Sequence, residues 1–351
     1  MTDDAERGEP EMRESPEFDL ISRVRERLRA SLDAAASAEA VRIGIGDDAA
    51  VIVPLPSRGA SATSVDALVD GVGFRRRWCP PGAVGRKALG AALSDLAAMG
   101  AGPGEAYVWL GMPEDLDSDE ALELCDGLAD LAERHGVAIL GGDITRAPAL
   151  AVCVTAIGYA ATPESLVGRG GAEVGDALCA TGSFGGAAAG LMLLEHPRLE
   201  ADIDQLARDA CVGRQLDPAP QLEAGAALAA AGARAMIDVS DGLGADAEHL
   251  AAASRLGIEI EVDRVPVSPG VEEAAAAAGR DATELVVSGG EDYELLCAVP
   301  RVALAECVAA VEECGERLTE IGRFVAGGAV RLRLPGGRSV PATGHDHLRP
   351  R

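Results

Sequence analysis

Four short loops that combine glycine with acid recur along the chain at strand-like boundaries. They are Gly44-Ile45-Gly46-Asp47-Asp48, Gly141-Gly142-Asp143, Asp238-Val239-Ser240-Asp241-Gly242 and Gly289-Gly290-Glu291-Asp292. A single Gly-Asp pair is ordinary turn chemistry. Four of them constrain the fold further, because each asks for a short apolar strand that ends in a tight turn. Two more acids, Asp66 and Asp95, follow or end apolar runs.

The segments between these loops alternate in period. Ser15-Pro16 starts a helix whose apolar stripe is Phe18, Ile21, Val24, Leu28 and Leu32. Strands are expected at Ala49 to Val53 and Ser61 to Val69. Leu89, Leu93 and Leu96 stripe a second helix, with Asp95 pointing about 120° away from that stripe. A third helix begins near Ser118 and ends at His135-Gly136, where a histidine cation would suit the helix dipole. Val137 to Leu140 and Ala149 to Ala160 read as strands.

The second half continues in the same style. It has strands at Ala177 to Thr181, Ala235 to Val239, Ile258 to Asp263 and Tyr293 to Val299. Its helices are expected at Gly185 to Glu195, near 204–212 and 220–231, from about Gly244, and over 302–313. The class is α/β (α+β) in two domains. We expect a disordered acidic tail over 1–14, an N-terminal domain over 15–160 and a C-terminal domain over 161–351.

Composition removes several function classes. The net charge of −26 opposes nucleic-acid binding and attraction to an anionic membrane. Aromatics are only 3%, so the cores must be built from Ala, Val, Leu and Ile. The 8 cysteines form no C-x-x-C pair, and most of them read as small buried thiols. Ala177 to Leu194 is uncharged, but Gly182, Gly185, Gly186 and Gly190 interrupt it, so strand, turn and helix fit better than a membrane span. A cytoplasmic protein is expected.

No G-x-x-x-x-G-K-[ST] loop is present, and Lys87, the one lysine, lies in Gly-Arg-Lys-Ala. There is no G-x-S-x-G elbow to accompany the histidines. Oxygen ligands without a His or Cys cluster select a hard cation, Mg²⁺ before Ca²⁺ or Mn²⁺. Dispersed aspartates around a triphosphate would let such cations neutralise phosphate charge. The residues by themselves describe a carboxylate-rich Mg²⁺–phosphate enzyme.

In this order the motifs resemble the thiamine-monophosphate kinase family of the aminoimidazole-ribonucleotide-synthetase-like superfamily. The strings include Glu17-Phe18-Asp19-Leu20-Ile21, Gly44 to Ala50, Leu93-Ser94-Asp95-Leu96-Ala97-Ala98-Met99-Gly100-Ala101, Gly141-Gly142-Asp143, Ile237 to Leu243 and Ser288 to Leu295. The resemblance implies the superfamily's two-domain fold, with an N-terminal sheet domain that dimerises and a C-terminal α/β domain. It implies ATP as co-substrate, Mg²⁺ as cofactor, thiamine monophosphate as acceptor and direct in-line transfer, with no covalent nucleophile on the protein.

By position, the resemblance assigns metal binding to Asp48, Ser64, Asp66, Asp95, Asp143, Asp238 and Asp241. It assigns nucleotide contacts to Gly142, Asp143, Arg169 and Ser240, and substrate contacts to Gly73, Glu291 and His345. Three departures stand out: Gly73 replaces the family's usual His, Ala92 its usual Asn, and Gly344-His345-Asp346-His347-Leu348 lacks both aromatics of the closing pattern. Two other readings share most of these motifs. One is a related ATP-dependent enzyme with another small acceptor, and the other is a nucleotide-binding scaffold without catalysis.

Overall fold

The computed structural model describes residues 16–35, 40–43, 45, 51–52, 59–334 and 339–341. The first amphipathic stretch starts at Pro16 but divides at buried Leu28 into α1 (Pro16–Arg27) and α2 (Arg29–Ala34). Two short strands, β1 (Val41–Ile43) and β2 (Val51–Ile52), pair antiparallel. The expected tail over 1–14 lies outside the described residues, as do Ala49, Ala50 and Val53.

A first layer follows from β3 (Ala60–Val69), α3 (Pro81–Ala98), β4 (Gly102–Met112), α4 (Ser118–Arg134), β5 (Ala138–Arg146) and β6 (Ala151–Ala160). Its four strands lie in the order β3-β6-β4-β5, and only β4 and β5 run parallel. Strand β4 has no counterpart among the elements expected from the sequence. Gly102, Pro103 and Gly104 blur its start and Gly111 its end, and these are residues that ordinarily mark loops. Helix α4 begins with a full capping box, in which Asp117 and Glu120 satisfy each other's backbone N–H groups.

The second layer comprises β7 (Ala177–Thr181), α5 (Gly186–Glu195), α6 (Gln205–Leu216), α7 (Leu222–Ala230), β8 (Ala235–Asp238), α8 (Leu243–Ser254) and β9 (Gly257–Glu261). It continues with α9 (Val271–Ala277), α10 (Ala282–Ser288), β10 (Leu295–Val299), α11 (Leu304–Glu313), β11 (Leu318–Val325), β12 (Val330–Arg333) and β13 (Ser339–Pro341). Its seven strands follow the order β13-β12-β9-β11-β7-β10-β8. Every residue of β7 and β10 is buried, which explains why that region of sequence carries no charge. Among the described residues no helix is long and apolar enough to cross a membrane.

Helix α3 is the pivot. Fifteen of its residues are buried, so its sequence is apolar all round rather than striped. It crosses α4 where glycines allow contact of backbones: a Cβ on Gly85 would lie 2.1 Å from the Leu124 carbonyl oxygen, and one on Gly127 would lie 1.9 Å from that of Gly82. Leu89, Leu93 and Leu96 of α3 share one apolar core with Leu228 of α7, Cys179 of β7, Met236 of β8 and Leu295 of β10. The two sheets therefore meet through packed side chains, with α3 between them.

The reading of most cysteines as small buried thiols holds. Six of the eight cysteines are buried, while Cys153 and Cys314 are partly exposed. His135 caps α4, but burial and then the neighbouring Arg134 charge draw its pKa below 6.5.

Candidate functional site

The last turn of α3 joins the two layers through consecutive residues. Ser64 and Asp66 lie on the face of β3 that α3 covers, in register with buried Ala156 and Val154. Ser64 Oγ donates to Asp95 Oδ2 at 2.5 Å. One residue earlier on the helix, Ser94 Oγ donates to Asp238 Oδ2 at 2.8 Å, at the end of β8. Asp238 is 4% exposed. Burial, and then the charge of Asp95, push its carboxyl up to about 7, while the nearby Arg169 guanidinium opposes the shift. Arg169 itself is exposed.

The loop after β8 is held from below. Asp246, in the first turn of α8, accepts from the backbone N–H groups of Ser240, Asp241 and Gly242 at 3.1, 3.0 and 3.1 Å. Its carboxyl is pushed up to about 8, first by burial and then by the Asp238 and Asp241 charges. The second glycine-acid loop of this layer pairs with the first. Glu291 N–H donates to the Ser240 carbonyl at 2.8 Å and Tyr293 N–H to that of Val239 at 2.9 Å. Both donors adopt left-handed backbone conformations, with φ of 66° for Glu291 and 53° for Tyr293. In non-glycine residues such strain gathers where a side chain must be aimed.

Tyr293 was not singled out by sequence reasoning, although the string Ser288 to Leu295 contains it. It is 5% exposed. Burial, then Glu291, Asp66, Asp238 and Asp95 in that order, raise its hydroxyl well above 10. Carboxylates from β3, α3, β8 and its own loop thus all act on one phenol. Asp66, Asp95 and Asp238 form one neighbourhood around it, and Asp241 adjoins them through Asp246.

The Glu291 carboxylate is held by one protein donor on each oxygen. Its Oε1 lies 3.1 Å from Lys87 Nζ and its Oε2 accepts from Gln215 Nε2 at 2.8 Å. Cys79 lies beside this pair and beside Asp70; burial, opposed by the Lys87 charge, pushes its thiol up to about 11. The charges of Glu291 and of Asp70, which starts the turn carrying Gly73, both act on this thiol. A Cβ on Gly73 would meet Leu68 Cδ2 at 3.0 Å.

Asp143 stands apart. It is exposed on β5, where Thr145 Oγ1 donates to it at 3.1 Å. Gly142 is in register with Val108, Val154 and finally Asp66, so three strand spacings, about 14 Å, separate the two edges of the sheet. Gly142 is also a close-approach position: a Cβ there would lie 1.8 Å from the Val108 carbonyl oxygen. Asp48 and His345 lie outside the described residues.

Among the described residues no group of three or more His, Cys, Asp or Glu side chains could hold a metal ion by itself. The donors that do gather are carboxylates and hydroxyls in pairs. That set suits Mg²⁺, which is held by one or two carboxylates together with substrate phosphates rather than by an all-protein cage. Asp238, kept from ionising freely by burial and Asp95, is a carboxyl whose charge a divalent cation would stabilise.

Residues 46–160 match the family model "AIR synthase related protein, N-terminal domain" and residues 173–335 its C-terminal counterpart. A thiamine-monophosphate kinase of Rhodopirellula baltica is 35% identical over 295 residues, covering 81% of this chain and 84% of that protein. The crystal structure of thiamine-monophosphate kinase from Stenotrophomonas maltophilia K279a superposes with a TM-score of 0.78 at 34% identity, over 93% of this chain and 98% of that one. A structure of AaThiL complexed with AMPPCP and TMP gives a TM-score of 0.72 at 29% identity, over 93% and 95%. With family models matching both halves and relatives aligned over most of its length, the chain belongs to the AIR synthase related family and, within it, to the thiamine-monophosphate kinases.

Proposed function

We propose that this kinase transfers the γ-phosphoryl group of ATP to thiamine monophosphate, giving thiamine diphosphate, by direct in-line transfer in the cytoplasm. The observation that carries the reading is the junction at the end of α3, where Ser64 donates to Asp95 and Ser94 to Asp238, beside the paired loops that bear Ser240 and Glu291. A phosphate-binding region and an acceptor-binding carboxylate are thereby set side by side. The AaThiL complex with AMPPCP and TMP supports an ATP analogue and TMP as the ligands of such a site.

In this reading Ser64, Asp66, Asp95, Asp238 and Asp241, with Asp48 and Asp143, hold Mg²⁺. Bound Mg²⁺ would neutralise charge on the phosphate oxygens, the service a phosphate-binding lysine provides elsewhere. Ser240, Gly142 and Arg169 meet the nucleotide, and Glu291, the Gly73 turn and His345 face the acceptor. Protein side chains supply positioning and electrostatics, and none carries the phosphoryl group.

The protein is proposed to work as a homodimer. One face of the four-stranded sheet is covered by α3, whereas Val65 and Trp109 on the other face are 64% and 36% exposed. Asp143 is in register with Trp109 on that face. A second copy seated there would bring Asp143 into an interface rather than leave it at a bare edge.

Calorimetric titration of ATP with and without Mg²⁺, followed by an ATP-consumption assay across phosphorylated acceptors, tests the reading. Mg²⁺-dependent ATP binding and turnover of thiamine monophosphate are expected. Equal ATP affinity without metal would sink the metal assignment. Turnover of a different acceptor alone would restrict the resemblance to the superfamily.

A further inference from the structure

Lys87 is the only lysine in the chain and is 1% exposed, yet it lies outside every loop assigned to phosphate or metal. A buried ammonium persists only when paired and hydrogen-bonded. Here Nζ donates to the Gln215 main-chain oxygen at 2.9 Å and pairs with Glu291 Oε1 at 3.1 Å. Gln215, also 1% exposed, closes the triangle by donating Nε2 to Glu291 Oε2 at 2.8 Å. The three residues come from α3, α6 and the loop before β10.

We infer that Lys87 and Gln215 are positioning residues that fix the Glu291 carboxylate for the acceptor and set its distance from the phosphate region. This rests on the proposed function. Each carboxylate oxygen offers two lone pairs, so one internal donor on each leaves both able to receive a cationic or N–H-bearing heterocycle. The Glu291 side chain is 25% exposed, enough to meet a ligand, while its two partners are shut away from solvent.

The clamp also measures distance. Lys87 and Asp95 lie on the same helix, separated by on the order of 12 Å along its axis. A single rigid element thus carries the anchor of the acceptor carboxylate at one point and the Ser64- and Asp238-linked turn at another. The left-handed backbone of Glu291 is consistent with a side chain held to an aim that ordinary loop geometry would not choose.

The test is calorimetric titration of thiamine monophosphate, and separately of Mg²⁺–ATP, into the full-length protein and its Lys87→Met, Gln215→Met and Glu291→Gln variants. Circular dichroism checks folding. Loss of aim should weaken thiamine monophosphate about tenfold in Lys87→Met and in Gln215→Met, with ATP affinity held within about twofold. Adding Lys87→Met to Glu291→Gln should cost little more than Glu291→Gln alone, because the residues act as one unit. Lys87→Arg should recover part of the loss.

Unchanged acceptor affinity in folded Lys87→Met, or equal weakening of both ligands, would overturn the inference. Should Lys87→Met not fold, Gln215→Met carries the same expectation and the same refutation. Absence of thiamine monophosphate binding by the wild-type protein would bring down the proposed function and this inference together. Wild-type binding with undiminished variants would bring down this inference alone.

Discussion

At the scale of single residues, Gly73 is the departure with the clearest kinetic consequence. The Asp70 end of its turn and Glu291 both act on the Cys79 thiol, and the resemblance implies an imidazole where this chain has glycine. A lost hydrogen-bonding contact is worth about 1–3 kcal/mol at a buried site. Gly73→His should therefore lower KM for thiamine monophosphate about tenfold with kcat nearly unchanged, the pattern of uniform binding. The added Cβ would meet Leu68 Cδ2 at 3.0 Å, so Leu68 must give by a few tenths of an ångström. Steady-state kinetics decide; a KM that stays level or rises would point to Arg75, which lies beside the same turn, as the donor already in place. Arg76 is committed elsewhere, to Asp115 and Glu120 at 2.9 and 3.3 Å.

At the scale of elements, the site is a set of loop ends clamped by helix starts and ends. Asp246 shows how: one carboxylate in the first turn of α8 gathers three consecutive N–H groups and so shapes the loop bearing Ser240 and Asp241. Asp246→Ala would strand those donors and should cost about 1–3 kcal/mol of stability, with a larger proportional loss of ATP affinity. Urea unfolding and ATP titration on the same protein measure both, and a variant with wild-type values in each would refute the assignment. The glycine-acid loops were legible in the sequence because Gly, Asp and Ser mark tight turns by their own backbone chemistry. Strand β4 was not, since Gly102, Pro103, Gly104 and Gly111 give it the local signature of a loop, and only pairing with β5 and β6 on either side makes it a strand.

For the whole molecule, the two sheets lean on α3 from both sides; on the other face of the four-stranded sheet α2 packs near Ala138, Leu140 and Tyr107, while Val65 and Trp109 stay exposed. The expected mass in solution is twice the 35.7 kDa of one chain. Val65, 64% exposed at the centre of β3, is the residue to change. Val65→Asp would place a charge in an apolar contact and should shift the protein to a monomer in light scattering while leaving its circular dichroism intact. A wild-type monomer at micromolar concentration would contradict the dimer outright.

The sequence by itself determined the family, through the resemblance of its ordered motifs, and the α/β class and the order of the chemistry-bearing loops, because turn residues and apolar periodicity act over a few positions at a time. Asp66, Asp95, Asp238, Asp241 and Glu291 could all be picked out that way. What only the tertiary structure decided is which of them share a neighbourhood. Asp66 and Asp95 approach Asp238 because α3 is buried between two sheets, whereas Asp143 falls at the far edge of one sheet, about three strand spacings away. Tyr293, Asp246 and Gln215 carry no motif chemistry of their own. They matter through partners distant in sequence, such as Glu291 and Asp238, and burial gives those contacts their strength. Lys87 was visible as an oddity of composition, and its meaning waited on the fold that shut it away from water beside Glu291.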